Sequence, residues 1–398
     1  MQSRYPQDLA LPAAVGAETV RRLAKAWLLR TWRAFLALEL PDQPDGPTWR
    51  EVRELAVLQT KTSPANLYAW LLRPTAAMLV KTATLDPWLP LQVRVYAAYS
   101  ACLLLGIEAA AQGWLTRPLA WTGRLPPGAS LLLGLAWAEQ AGPLILANGQ
   151  VPTLGANEAF YPIHPAYPQL RLALADVNPL PVFAEHPSRR GNVVGLGGAP
   201  LPQWMAGMRE ALDIIDTYLP EVADEMRVLL GQLLPAGVDG ETHQSASYLQ
   251  APGSVYLTLH PDPMTLAEAI IHEFQHNKLN LLLDADPLLH GDEARYPSPL
   301  RPDARPLRGV LLAVHAFQPV AVLYERMAGG SHVAAKKHDF GKRFDQILAR
   351  NRDGWAVLRR HARPTELGRA LLADMARVEG RFANRVGADP DSPNDFNE

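Results

Sequence analysis

The stretch Thr265–Asp284, TLAEAIIHEFQHNKLNLLLD, constrains this chain more than any other. Ala269, Ile270, Ile271, Phe274, Leu279, Leu281, Leu282 and Leu283 cover nearly every side of a helix drawn through it, so that helix has to be buried. The same stretch carries His272-Glu273-Phe274-Gln275-His276, an H-E-x-x-H pattern. Residues four apart share a helical face, so the two histidines stack one turn apart. Two imidazoles at that spacing can hold one metal ion. With 11 histidines in 398 residues the bare pattern arises by chance in roughly two chains per hundred, so the apolar setting carries the weight. Buried polar groups need partners, and a metal supplies them. The plain alternative is two core histidines satisfied by backbone carbonyls. Thr265 with Glu268 three residues on predicts a capping box at the helix start, and Asp286-Pro287 its end.

The rest of the chain bounds the answer. A length of 398 residues suits two or three domains with ample core. A formal charge of −2 leaves no basic footprint, which speaks against nucleic acid. The single cysteine, Cys102, rules out an internal disulfide framework and a thiolate-rich zinc site, and fits a reducing, cytoplasmic setting. The N-terminus does not read as a signal peptide. The most apolar run, Val95–Ile107, lies between Arg94 and Glu108 and is too short to span a bilayer, so no membrane role is expected.

Prolines divide the first part into helices over 17–39, Trp49–Thr60, Ala65–Lys81, Pro90–Gln112 and Gly128–Gln140. The texture changes at Gly142. Asn148-Gly149 predicts a hairpin, Gln169–Ala175 alternates as a strand, and Asn178–Pro202 reads as loop. Helices are expected at Gln203–Leu219 and Glu221–Leu234. Ser245–Leu259 reads as two strands turned at Pro252-Gly253, feeding into the motif helix. A strand there is an edge on which an extended peptide can pair. His290–Arg305 reads as loop, and Pro306 opens a helix to about Ala328, closed by Gly329-Gly330. Pro319 within it cannot bond the carbonyl of His315, which predicts a kink beside that histidine. The tail His332–Arg385 is basic and helical. The expected fold is α+β, predominantly α-helical, with a small antiparallel β element beside the motif helix. Its expected parts are a helical region 1–141, a metal-site region 142–330 and a helical segment 331–398.

Two histidines do not close a metal site. Downstream candidates for a third ligand are His290, Glu293, His315, Glu325, His332 and His338. His315 is favoured, because it lies in the apolar run GVLLAVHAFQPVAV, where a histidine needs a reason. Glu293 or Glu325 would instead complete the two-histidine, one-glutamate set of a zinc peptidase. A three-histidine set suits zinc, and equally iron(II) with positions left open. The segment YPSPLRPDARPLR carries Arg301, Arg305 and Arg308. Such arginines suit the distal carboxylate of a 2-oxo acid, which a guanidinium holds bidentately.

These residues match a known family. HEFQHNKLNLLLD, the YPSPLRPDARPLRG segment, the GVLLAVHAFQPVAVLYERM helix and the upstream HQSASYLQAPGSVYLTL together resemble the H-E-x-x-H putative peptide modification proteins. The likeness runs from about Val177 to Met327, with a looser match in the N-terminal helices. Such proteins accompany radical SAM maturases of ribosomally made peptides and are similar to iron(II)- and 2-oxoglutarate-dependent peptide β-hydroxylases. The resemblance implies His272, His276 and His315 as metal ligands, and Arg305 and Arg301 as co-substrate anchors. It places Ser245 and Ser247 at the site and a precursor peptide as substrate. Glu273 is then a catalytic or orienting carboxylate. Two competing readings stay open. One is a zinc metallopeptidase in which Glu273 deprotonates a metal-bound water. The other is a non-catalytic peptide-binding partner of a maturation complex.

Overall fold

The structure, a computed structural model, describes residues 8–42, 47–85, 88–115, 118–121, 144–149, 160–176, 178, 194–238, 243–291, 294–298, 301–337 and 339–383. The helix expected at Gly128–Gln140 lies outside them, as do Glu293 and His338.

The N-terminal helices follow the prolines. They are α1 (Glu18–Leu36), α2 (Trp49–Thr62), α3 (Pro64–Leu71), α4 (Pro74–Ala83) and α5 (Leu91–Ala111). Pro64 and Pro74 sit in the first turns of α3 and α4, where the missing N–H costs nothing. Helix α5 runs well past the apolar run seen in the sequence, because both flanking charges are accommodated. Arg94 is buried and donates through Nε to the Ala83 carbonyl at 3.2 Å. Glu108 takes a bidentate pair from Arg73 at 2.7 and 2.8 Å.

Strands β1 (Leu119–Trp121) and β2 (Leu144–Leu146) form an antiparallel pair. The second arm of the hairpin expected around Asn148-Gly149 lies outside the described residues. The Asn148 side chain bonds both the N–H and the carbonyl of Leu115.

A five-stranded mixed sheet forms the middle of the fold. In chain order its strands are β3 (Phe160–Pro162), β4 (Arg171–Ala173), β5 (Gln232–Val238), β6 (Ser245–Ala246) and β7 (Ser254–Leu259). Across the sheet the order is β3-β4-β5-β7-β6, parallel at β4–β5 and β5–β7 and antiparallel at both edges. Alternation along each strand splits its side chains between two layers. Ala173, Leu234 and Tyr256 pack into the core of the N-terminal helices. Leu172, Leu233, Val255 and Leu257 pack against α6 (Leu201–Tyr218), α7 (Pro220–Leu229) and the motif helix α8 (Pro263–Leu283).

Three expectations are corrected here. The helix expected to reach Leu234 stops at Leu229, and β5 follows it. Helix α8 starts at Pro263, not Thr265, because Asp262 caps it by accepting from the Met264 N–H at 3.2 Å. Glu268 is thus freed from the expected capping box. Finally, His290–Arg305 holds a β-hairpin, β8 (Arg295–Ser298) with β9 (Arg301–Pro306).

Helix α9 (Leu307–Ala328) follows the hairpin directly and passes through Pro319 as one helix. It packs beside α8 and against α10 (Phe340–His361) and α11 (Glu366–Gly380). The molecule is thus a predominantly helical α+β fold with α8 at its centre. Both ends of α8 are tied down. Its C-cap Asp284 is paired by Lys81 of α4 and by Arg30 of α1 at 3.5 Å.

Among the described residues two helices, α5 and α9, are long and apolar enough to cross a membrane by length and composition. In each, 72% of the apolar window is buried inside the fold, so that surface is already used for packing.

Candidate metal centre

His272 and His276 meet on one face of α8, with ring centroids 4.4 Å apart and planes at 81°. The Nδ1 atom of each is sealed from solvent and has no hydrogen-bond partner. Both residues are nevertheless partly accessible, so what solvent reaches is the opposite ring edge, which carries Nε2. Burial lowers the His272 pKa well below the ordinary histidine value, and the neighbouring His276 and Arg343 add to this. Burial also lowers that of His276, partly offset by Glu273. Both imidazoles are therefore neutral at pH 7, the form that binds a metal. Phe317 of α9 lies against the His272 ring at 4.6 Å between centroids.

Glu273 reaches the sheet edge. It is 4% exposed, and its two carboxylate oxygens accept hydrogen bonds from Ser245 Oγ and Ser247 Oγ, each at 2.7 Å. Ser245 belongs to the edge strand β6 and Ser247 follows it, so Glu273 fastens the sheet edge to the motif helix. One turn on, Asn277 continues the fastening. It accepts from the Gly253 N–H at 2.8 Å and donates to the Ser254 carbonyl at 3.2 Å. The two serines expected at the site are indeed beside the motif, but their hydroxyls are given to Glu273.

His315 is fully buried in the middle of α9. Its Nε2 lies 3.2 Å from the Leu9 carbonyl oxygen. A carbonyl only accepts, so Nε2 carries the proton and Nδ1 carries the lone pair. That Nδ1 is sealed and without a partner. The pKa is lowered to about 3, chiefly by burial, then by the charge of Lys278, with His276 close enough to contribute. Lys278, two residues beyond His276, is itself fully buried and pairs with Glu225 of α7 at 2.9 Å.

Do these residues suit a metal? Their donor chemistry does. His272 and His276 turn accessible nitrogens outward, and His315 holds an orphaned lone pair that no protein group satisfies. A buried acceptor without a partner is costly, and a bound ion would remove that cost. The geometry is incomplete, however. Among the described residues no group of three or more His, Cys, Asp or Glu is arranged to hold an ion. The structure brings His272 and His276 together and does not draw His315 into one cluster with them.

The other candidates are engaged elsewhere. Glu325 is paired with Arg381 at 2.6 Å. His332 accepts from the Ala334 N–H and packs on Tyr218. His290 is exposed. Arg305 pairs with Asp303 on its own strand at 2.9 Å, and its stem rests over Gly309 of α9. Arg301 lies in β9 by its backbone, and its side chain is outside the described part.

Sequence reasoning missed four participants. Leu9, Lys278 and Phe317 read as ordinary core or surface residues in the sequence. The fourth, Arg343 of α10, is the cation felt at His272. It pairs with Glu268, one turn before His272, at 2.6 Å, and Tyr324 of α9 donates to the same carboxylate. That network lines a cleft of about 350 Å³ together with Asp262, Lys337 and Lys342. No signal in the sequence could pair residues 75 positions apart. No family model and no curated protein matches the chain.

Proposed function

We propose that the protein is an iron(II)- and 2-oxoglutarate-dependent hydroxylase of a side-chain β-carbon in a ribosomally made precursor peptide. His272 and His276 would hold the metal through Nε2, and His315, which lies outside their cluster, would complete the set through its unpartnered Nδ1. With the co-substrate bound, iron supplies the oxygen chemistry: C–H becomes C–OH, while 2-oxoglutarate and O₂ become succinate and CO₂ plus that hydroxyl oxygen. Everything else falls to the chain. Neutral, half-buried imidazoles are ready to bind without first losing a proton. Phe317 shields one side of His272. Strand β6 is the sheet edge next to the motif, where an extended peptide can pair through its backbone. Arg301 and Arg305, on the hairpin that leads into the His315 helix, are the proposed anchors for the co-substrate's distal carboxylate.

The observation that supports this reading over peptide cleavage is the setting of Glu273. A peptidase base has to face the metal-bound water and accept its proton. Here each carboxylate oxygen accepts a hydrogen bond from a serine hydroxyl at the sheet edge, the setting of a structural clasp. Of the two glutamates that could serve as third ligand of a zinc peptidase, Glu325 is paired with Arg381, and Glu293 lies outside the described residues.

The test is direct. Protein prepared without oxygen is assayed for metal content, then given precursor peptide, 2-oxoglutarate and O₂. Gain of one oxygen atom by the peptide is the expected result. Cleavage into fragments with zinc would replace the proposal by the peptidase reading. Tight peptide binding without turnover under either metal would replace it by a non-catalytic role in a maturation complex, beside a radical SAM maturase.

A further inference from the structure

We infer that the N-terminal strap Asp8–Leu11 is part of the metal centre, acting through the Leu9 carbonyl as the positioning group for His315. The inference rests on the metal reading above and adds to it a segment more than 300 residues away in sequence.

The strap is built in, not draped. Leu9 and Ala10 are 0% exposed and Leu11 is 2% exposed. Three different helices grip its backbone. Lys278 Nζ of α8 donates to the Asp8 carbonyl at 3.1 Å. His315 Nε2 of α9 donates to the Leu9 carbonyl at 3.2 Å. From α11, Asp374 Oδ2 accepts the Ala10 N–H at 2.7 Å, and Arg377 donates to the Leu11 carbonyl at 2.9 Å. Asp8 adopts a left-handed backbone, with φ of 68°, which turns the chain into this slot.

The chemical consequence lies at His315. A neutral imidazole has one nitrogen to donate and one to coordinate, and the partner of the first decides which is which. The Leu9 carbonyl takes the proton of Nε2, leaving Nδ1 as the only nitrogen able to ligate. Metal-binding histidines nearly always donate their second nitrogen to a carbonyl or carboxylate, and loss of that partner typically costs 10–100-fold in metal affinity. The Lys278–Glu225 pair, buried beside the strap, holds the Asp8 end of it.

The experiment is an anaerobic titration of the full chain with Co(II), read by its visible absorption, which reports ligand number and type. In the first variant Asp8–Leu11 are replaced by Gly-Ser-Gly-Ser. In the second, Asp374→Ala releases the Ala10 N–H while leaving the strap sequence intact, which covers a failure of the first to fold. The expected result is a 10–100-fold weaker Kd with a changed spectrum for the first variant, and a smaller weakening for the second. The free peptide Asp-Leu-Ala-Leu added at millimolar concentration should restore part of the affinity of the first. Unchanged affinity and spectrum in a folded variant, beside an unmodified chain that binds Co(II), overturns the inference and spares the metal reading. Absence of Co(II) binding by the unmodified chain, or undiminished binding by His315→Ala, overturns both.

Discussion

Glu273 shows how little of a residue's role is set by its place in a motif. In the sequence it is the acid of H-E-x-x-H; in the fold it is the clasp between α8 and β6. An amide in its place keeps one acceptor and turns a donor toward a serine hydroxyl. Glu273→Gln should therefore lower stability by about 1–3 kcal/mol, with hydroxylation weakened yet measurable; complete loss of turnover in a folded variant would mark a proton-transfer role. His315 supplies a second test, in metal-free protein. The unfolded chain takes up a proton at this histidine near pH 6.5, whereas the folded chain refuses it until about pH 3. The native state binds fewer protons in that window, so acidification should cost about 1.4 kcal/mol per pH unit from this group. Urea midpoints at pH 7, 6 and 5 should show it, and His315→Asn should flatten the slope. The motif histidines were legible because periodicity places them on one face. The direction of Glu273 was not, since it depends on which neighbour supplies hydroxyls.

Among the elements, helix starts were legible to within a residue at Pro64 and Pro220, whereas the helix expected over Ala65–Lys81 is two, divided before Pro74. Strand β5 was not legible. Gln232–Val238 is a central strand covered on both faces, so it loses the alternation that marks a half-buried strand and merges with the helix before it. The start of α8 was misplaced for a different reason. Thr265 and Glu268 have the spacing of a capping box, but Asp262-Pro263 begins the helix a turn earlier, and Glu268 is drawn to Arg343 and Tyr324. Two contacts between elements invite measurement. Glu225→Gln leaves Lys278 charged and unpaired between α7 and α8, which should cost about 3–5 kcal/mol by chemical denaturation. Replacing both members together, with Glu225→Leu and Lys278→Met, should recover most of that loss. Gly368 packs the first turn of α11 against the chain after α8, where an added Cβ would meet the Leu288 carbonyl oxygen at 1.9 Å. Gly368→Ala should thus destabilise by more than about 2 kcal/mol, through displacement of α11.

For the whole molecule, the packing shows where the surfaces of the two long apolar helices go. One turns its surface to the N-terminal core and the other to α8, α10 and α11. A metal that binds only the folded chain should add RT ln(1 + [L]/Kd) to its stability, about 2.7 kcal/mol at a hundredfold excess over Kd. A thermal melt should therefore rise with Fe(II) under argon and fall back with chelator, and His315→Ala should blunt the response. From the sequence alone came the buried helix with its paired histidines, the helical α+β class, the edge strand ahead of the motif and the apolar helix bearing His315. Those follow from periodicity and from backbone rules, which act over a few residues. Only the tertiary structure decided that Glu273 is held by serines, that Arg343 of α10 comes near His272, and that the Leu9 carbonyl faces Nε2 of His315. Each of those joins groups tens to hundreds of positions apart, and their meeting depends on how whole layers pack, which no local pattern encodes.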